Sequence, residues 1–377
     1  MNRPPTVILA GAGHAHLHVA ARAESFVQRG ARVVLIEPDE FWYSGLATGM
    51  LGGMYEPAED RLDPRTLIEA HGGEFFREHV ESVDPDARRV CLADGTELAY
   101  DLLSINVGSQ VPAAFSETTD DPDVWRVKPI SNLWKLREQL EAKLEAGEAP
   151  RVSVIGGGST GVEVAANLLA LAASHRIPMP VTLITSSDRL VPQAPPRASR
   201  TLHQRLSRRG LTIRTHTRIV RREGQTLIAQ DGRRIEAETV VLATGLEAHP
   251  LVYRTGLPIR GRDGLRVNAK LHSIADPRVF ATGDCAALEG HDLPKLGVFG
   301  VRQAAYLHAN LVASIAGRSM IEYKPQKRYL AILNLGDGTA LSTWGPFWWN
   351  GRASMWLKDR IDRRFLDGYR KHSAEIL

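Results

Sequence analysis

Short apolar runs, each too brief for a helix, recur along the chain, and most are followed by glycine. Val7 to Ala10 is the first and suits a buried parallel strand. Gly11-Ala12-Gly13-His14-Ala15-His16 follows, and Leu17, Val19, Ala20, Ala21 and Ala23 then carry a helical pattern. Arg32 to Ile36 reads as a second strand, closed by Glu37. The series restarts at Arg151 to Ile155. There Gly156-Gly157-Gly158-Ser159-Thr160-Gly161-Val162-Glu163 opens a long helix through Ala165, Ala166, Leu168 and Leu169, and a strand follows at Val181 to Ile184. Three more strands end in glycine: Tyr100 to Val107 before Gly108, Glu238 to Thr244 before Gly245, and Val279 to Thr282 before Gly283-Asp284, which is expected to lead into a helix. The predicted class is α/β, with two parallel-sheet units on one chain.

The order strand, glycine turn, helix, strand, acid is what a dinucleotide site needs. Gly11 permits the tight turn, and Gly13 lets a pyrophosphate approach backbone N–H groups at the helix start. Glu37 can accept hydrogen bonds from a ribose. His16 stands where a third glycine is usual, a position expected to need a small residue. His14, His16 and His18 alternate, so a helix cannot aim all three at one metal, and no metal site is expected. His14 is expected beside the ligand.

The second unit has all three glycines, but Thr185 stands where Glu37 stood, followed by Ser186, Ser187 and Arg189. Ten arginines lie from Arg189 to Arg222, with acids only flanking them at Asp188 and Glu223. Hydroxyls and an arginine can take a 2′-phosphate, and a solvated basic face fits most of the arginines equally well. NADH and NADPH both remain open.

Residues 326–377 change character. Arg328 to Leu335 and Thr339 to Ser342 read as a hairpin around Gly336-Asp337-Gly338. Four of the seven tryptophans lie between Trp344 and Trp356. Trp356, Leu357, Ile361, Phe365 and Tyr369 would form an apolar stripe on a helix, with Lys358, Arg360, Arg363, Arg364 and Arg370 around it. That pattern suits a membrane interface or a second subunit, with packing on the body of the protein as the alternative.

The 377 residues are 43% hydrophobic and 24% charged, which excludes a disordered or collagenous chain. No apolar run reaches 18 residues, so no membrane-spanning helix is expected. The N-terminal apolar stretch runs straight into the glycine turn, unlike a secretion signal. Net charge is +4, and no nucleic-acid motif accompanies it. The two cysteines, Cys91 and Cys285, exclude a disulfide scaffold and a thiolate-held cluster, and they fit a reducing cytoplasm. Cys91 is expected in a hairpin turning at Asp94-Gly95.

The order of these motifs over residues 6–315 resembles the superfamily of two-dinucleotide flavoproteins, the pyridine-nucleotide oxidoreductases with Rossmann-like domains. The resemblance implies FAD on Gly11, Gly13, His14, Ala15, Glu37, Gly108, Gly283 and Asp284, with NAD(P)H on Gly156, Gly158, Gly161, Glu163 and Gly245. It implies a split FAD domain (1–115 and 246–325), an NAD(P)H domain (125–245) and an appendage (326–377). Disulfide reductases of the superfamily carry a Cys-x4-Cys pair after the ribose acid, and Phe41 to Met50 holds none. Without that pair the chain looks like type II NADH dehydrogenases. Tyr43-Ser44-Gly45, His14-Ala15-His16 and the run Pro294 to Leu311 also resemble the flavoprotein module fused to some selenide,water dikinases. Hydride would pass from NAD(P)H to FAD and on to a quinone-type acceptor, with reduced flavin held by N–H groups of a helix after Asp284. Arg302 and Gln303 would contact quinone, and Lys128 would approach the flavin. The alternatives are a sulfide- or selenide-type quinone oxidoreductase, or a flavin-binding sensor with little turnover. The type II resemblance also implies a peripheral place on the inner face of the cell membrane.

Overall fold

A computed structural model describes residues 3–112 and 121–374. The first apolar runs are the strands β1 (Thr6–Ala10) and β2 (Arg32–Ile36), joined by helix α1 (His14–Ala20). Helix α2 (Ser44–Leu51), β3 (Glu74–Phe76) and β4 (Leu102–Ile105) follow. Next come β5 (Val124–Arg126), helix α3 (Ser131–Glu145), β6 (Val152–Ile155), helix α4 (Ser159–Ser174), β7 (Val181–Ile184) and helix α5 (Pro196–Arg208). The second unit closes with β8 (Thr212–Arg214) and β9 (Thr239–Leu242). The chain then returns to the first sheet through β10 (Val279–Ala281), followed by helix α6 (Gly297–Ile315).

Two five-stranded sheets result, in the orders β10-β4-β1-β2-β3 and β5-β9-β6-β7-β8, with every neighbouring pair parallel. Burial explains the composition of the central strands. β1, β4, β6 and β9 are buried at every position, as strands covered by helices on both faces must be. The two units also agree in detail. Gly11 N donates to Ile36 O and Gly156 N to Ile184 O, at 2.9 and 2.8 Å. Glu37 N donates to Phe76 O and Thr185 N to Arg214 O, at 3.1 and 2.9 Å. Cys91 lies on a hairpin strand, Arg89–Leu92, as the turn signal predicts.

Two expectations need correction. Asp284 does not open an α-helix. It sits in a one-turn 3-10 helix, Gly283–Cys285, and Ala286–Leu288 then forms a strand parallel to Gly264–Val267. Strand pairing takes the segment that would have extended the helix, and the next α-helix starts only at Gly297.

The C-terminal segment has three strands, β11 (Leu330–Asn334), β12 (Ala340–Trp344) and β13 (Phe347–Gly351), before helix α7 (Arg352–Ala374). The expected apolar stripe of α7 is divided between two faces. Met355, Lys358, Asp362 and Leu366 are buried, whereas Trp356 and Ile361 are 64% and 46% exposed. Spacings of three and four residues put Lys358 and Asp362 on the inward face. There they neutralise each other at 2.7 Å, and Lys358 Nζ also donates to the Gly45 carbonyl. Among the described residues no helix is long and apolar enough to cross a membrane.

Candidate active site

The first glycine loop is held from within. Asn106, just past β4, accepts from the amides of Ala15 and His16 (3.0 and 3.3 Å) and donates to the Thr282 carbonyl at 2.8 Å. A Cβ on Gly13 would lie 2.4 Å from Asn106 Oδ1, so glycine is required there for this approach. Glu37 accepts from Ala12 N at 2.6 Å, and burial raises its carboxyl to about 7.

His16 shows that the third position of this loop does not need a small residue. The buried ring lies between Gly11 O (Nδ1, 2.5 Å) and Ser104 Oγ (Nε2, 2.8 Å). A carbonyl only accepts, so Nδ1 carries the hydrogen and Nε2 accepts from the Ser104 hydroxyl. Burial lowers its pKa to about 4, which keeps the ring neutral in this arrangement.

The second loop divides its glycines differently. A Cβ on Gly161 would fall 1.8 Å from Gly156 O, whereas one on Gly158 would meet nothing within 4 Å. The space before Gly108 and Gly245 is open in the same sense. Glu163, on the first turn of α4, is half-buried facing α2 and β11. It accepts from Asn334 N at 2.8 Å, and burial lifts its carboxyl to about 6.

The carboxyl ends of the two sheets meet at one cluster. Lys128, just past β5, donates to Asp284 Oδ2 and Ser109 Oγ, both at 2.8 Å, and Ser109 Oγ donates to Asp284 Oδ2 at 2.6 Å. Burial pushes the Asp284 carboxyl up, but the Lys128 ammonium and these hydrogen bonds outweigh it and hold the group below the usual carboxylate range. Lys295 Nζ adds contacts to the carbonyls of Asp263 and Asp284 at 2.6 and 2.5 Å. Gln303, buried on α6, accepts from Gly283 N at 2.7 Å, while its neighbour Arg302 is exposed. Asp263, Asp284, Lys295 and Gln303 border a cleft that also includes Arg260, Leu293 and Phe299. The hydroxyls of Thr244 and Thr282, each preceding a strand-end glycine, are buried without a partner among the described residues.

An aromatic wall closes one side. The His14 ring lies 5.3 Å from Phe41, 5.7 Å from Tyr43 and 5.6 Å from Phe365 of α7 (centroid distances). Tyr43 stacks on Phe365 at 4.6 Å and donates to Asp362 Oδ1 at 2.9 Å. Burial lowers His14 to about 4. His18, one turn further along α1, pairs with Arg22 instead. The thiol of Cys285 is buried against the carbonyls of Ile105 and Thr282 and is pushed up to about 11.

Sequence reasoning missed Asn106, Ser109 and the α7 pair Lys358–Asp362. Asn106 carried a signal, as a polar residue ending a largely apolar strand two residues before a glycine. Ser109 carried none.

Comparison with known proteins places this geometry. A family model described as pyridine nucleotide-disulphide oxidoreductase matches residues 5–308. The demethylphylloquinone reductase NdbB of Synechocystis sp. is 27% identical over 368 residues, covering 90% of this chain and 87% of that one. The type II NADH:quinone oxidoreductase of Haemophilus influenzae is 28% identical over 219 residues, covering 55% of this chain and 49% of that one. Among solved structures, NDH2 from Plasmodium falciparum in complex with NADH superposes with a TM-score of 0.84 at 16% identity, covering 98% of this chain and 97% of that one. The sulfide:quinone oxidoreductase from Aquifex aeolicus gives 0.82 at 18% identity, covering 98% and 92%.

Proposed function

The chain belongs to the pyridine nucleotide-disulphide oxidoreductase family, and on that footing we propose that it is an FAD-dependent NAD(P)H:quinone oxidoreductase working without a redox disulfide. The observation that carries this reading is the meeting of two glycine-loop sheets at the Lys128–Asp284–Ser109 cluster. The full-length relative reduces demethylphylloquinone by name, and the partial one reduces quinone with NADH.

The residues fit a flavin dinucleotide. Open space before Gly108 and two unpartnered threonine hydroxyls stand where the strands end, beside a charged cluster. Gly11, Gly13, His14, Ala15, Glu37, Gly108, Gly283 and Asp284 would hold FAD, and Gly156, Gly158, Gly161, Glu163 and Gly245 the nicotinamide nucleotide, with domain limits 1–115 plus 246–325 and 125–245. When bound, FAD supplies two-electron acceptance from the nicotinamide and donation to the acceptor. The protein's part is placement and electrostatics. Asp284 stays ionised through Lys128. Gln303 fixes the Gly283 amide. His14, Tyr43 and Phe365 offer an apolar, water-excluding wall on which a quinone ring can lie. The sulfide- and selenide-type alternatives lose support because Cys285 is a buried, unreactive thiol.

The membrane side of the reading rests on exposure. Trp344, Phe347 and Trp349 of the C-terminal sheet and Trp356 and Ile361 of α7 are exposed. Arg352, Arg360 and Arg364 are exposed on the same helix, and the Arg360 guanidinium lies over the Trp356 ring at 5.7 Å. Exposed aromatics among cations suit the headgroup layer of an anionic bilayer, so we place the protein peripherally on the inner membrane face. Co-sedimentation with anionic vesicles should fall sharply in the Phe347→Ser, Trp356→Ser double variant. A concentration-dependent dimer lost in the same variant would assign the surface to a second subunit instead.

The central test is an anaerobic titration of the purified yellow protein. NADH or NADPH should bleach it rapidly, and a soluble quinone analogue should restore the colour. Failure of both nucleotides to bleach it would overturn the dehydrogenase reading in favour of a flavin-binding sensor.

A further inference from the structure

The two sheets share one hydrogen-bond register at their carboxyl ends, so positions around the first glycine loop have counterparts around the second. The matching hydrogen bonds equate Gly11 with Gly156, Ile36 with Ile184, Glu37 with Thr185 and Phe76 with Arg214. In the first unit a carboxylate follows β2 and reaches the glycine loop at Ala12 N. In the second, a Cβ on Gly157 would lie 2.7 Å from the Thr185 side chain, so Thr185 fills the same space beneath the loop. Its hydroxyl is committed to closing a turn, accepting from Ser187 N at 3.2 Å. The carboxylate that Glu37 offers in the first unit for ribose hydroxyls is thus replaced by Thr185 in the second.

What surrounds that point is positive. Arg214 is the last residue of β8, next to β7 in the sheet, and its side chain is exposed and has no ion pair among the described residues. The loop after Thr185 presents Ser186, exposed, and Ser187, half-buried. The adjoining segment braces this loop, with His216 N donating to Ser187 O at 3.0 Å and Thr217 N to Thr185 O at 2.9 Å. Arg189 ends the loop with Nη2 on Pro192 O at 2.6 Å, leaving its Nε buried and unsatisfied. The one acid in this stretch, Asp188, is exposed.

Resting on the dehydrogenase reading above, we propose that Ser186, Ser187 and Arg214 form a subsite for the 2′-phosphate of NADPH, so that the electron donor is NADPH in preference to NADH. A phosphate monoester supplies a dianion for the Arg214 guanidinium, and charge-assisted hydrogen bonds from a guanidinium and hydroxyls recognise it. The neutral ribose of NADH would leave Arg214 without a partner.

The test has two readouts. With the flavin-loaded protein, kcat/KM for NADPH should exceed that for NADH by about tenfold or more, and Arg214→Ala should abolish the preference by raising KM for NADPH while leaving NADH nearly unchanged. Calorimetry separates binding from turnover: 2′,5′-ADP should bind at least about tenfold tighter than 5′-AMP, and Arg214→Ala should equalise them. Equal or better use of NADH, or equal binding of the two adenine nucleotides, overturns the subsite. If neither dinucleotide bleaches the flavin while 2′,5′-ADP still binds selectively, the dehydrogenase reading fails and the subsite stands. Thr185→Glu, which copies Glu37, should shift preference toward NADH if the variant folds, and Arg214→Ala decides the question alone because its side chain is exposed.

Discussion

Asp60→Asn should make the protein more stable, and increasingly so as pH rises. Asp60 ends the short helix Pro57–Asp60 and is fully buried, with neither carboxylate oxygen hydrogen-bonded. Burial raises its pKa from 3.8 to about 9, against the attraction of Lys358 and Arg370 and with the repulsion of Asp362 on α7. A folded-state value above the unfolded one means that the native protein binds the proton more tightly. Stability from this group is intact below about pH 4 and is lost progressively as pH rises toward 9. Each pH unit in that window costs up to about 1.4 kcal/mol, so the loss at pH 7 reaches about 4 kcal/mol. Asparagine keeps the shape and cannot ionise.

The assay is urea denaturation of the native protein and the variant at pH 5 and pH 8. The variant's advantage in midpoint should widen between the two, by an amount equivalent to as much as about 4 kcal/mol. Parallel shifts at both pH values, or a variant less stable at pH 8, would refute the claim that this carboxyl is held protonated at the α7 seam.

The glycines of the second loop should separate by variant. Gly158→Trp should abolish NAD(P)H oxidation yet leave bound FAD and the melting temperature nearly unchanged, since its side chain enters open space. Gly161→Val should instead collapse the loop, seen as a lowered melting temperature, because its Cβ would overlap Gly156 O. His16→Gly, which restores the usual fingerprint, should destabilise the protein by about 2–4 kcal/mol in denaturant titration, because it leaves Ser104 and the Gly11 carbonyl buried and unpaired. Lys128→Ala should cost about 1–3 kcal/mol at pH 7. Asp284 is held below its usual range, so its stabilising contribution exists above the unfolded pKa and disappears on acidification. The difference from the native protein in thermal melts should therefore shrink between pH 7 and pH 3.

The central strands of both sheets could be read from sequence because they are buried on two faces and so appear as continuous apolar runs, most of them ended by glycine, whereas the part-exposed edge strands β3, β5 and β8 carry no such run. Glu37 and Thr185 sit at the same structural point, and the register of the backbone makes the difference between them chemically meaningful. The misreadings share a cause. Lys358, Asp362 and His16 are polar residues in the interior, and by composition each looks like surface or like a defect in a motif. Lys358 is buried because Asp362 stands one turn later and the Gly45 carbonyl faces it. His16 replaces glycine because Ser104, 88 residues away, donates its hydroxyl hydrogen to the ring. Asn106 likewise gains its role only from amides of α1 and a carbonyl after β10. A periodicity argument weighs each residue by its own polarity, whereas burial of a polar group depends on a partner that the fold supplies from elsewhere. The residues hardest to recognise in sequence are thus those that join α1, α7 and the two sheet ends around the proposed flavin site. Their substitution should perturb that site more than changes to the apolar strands that announced the fold.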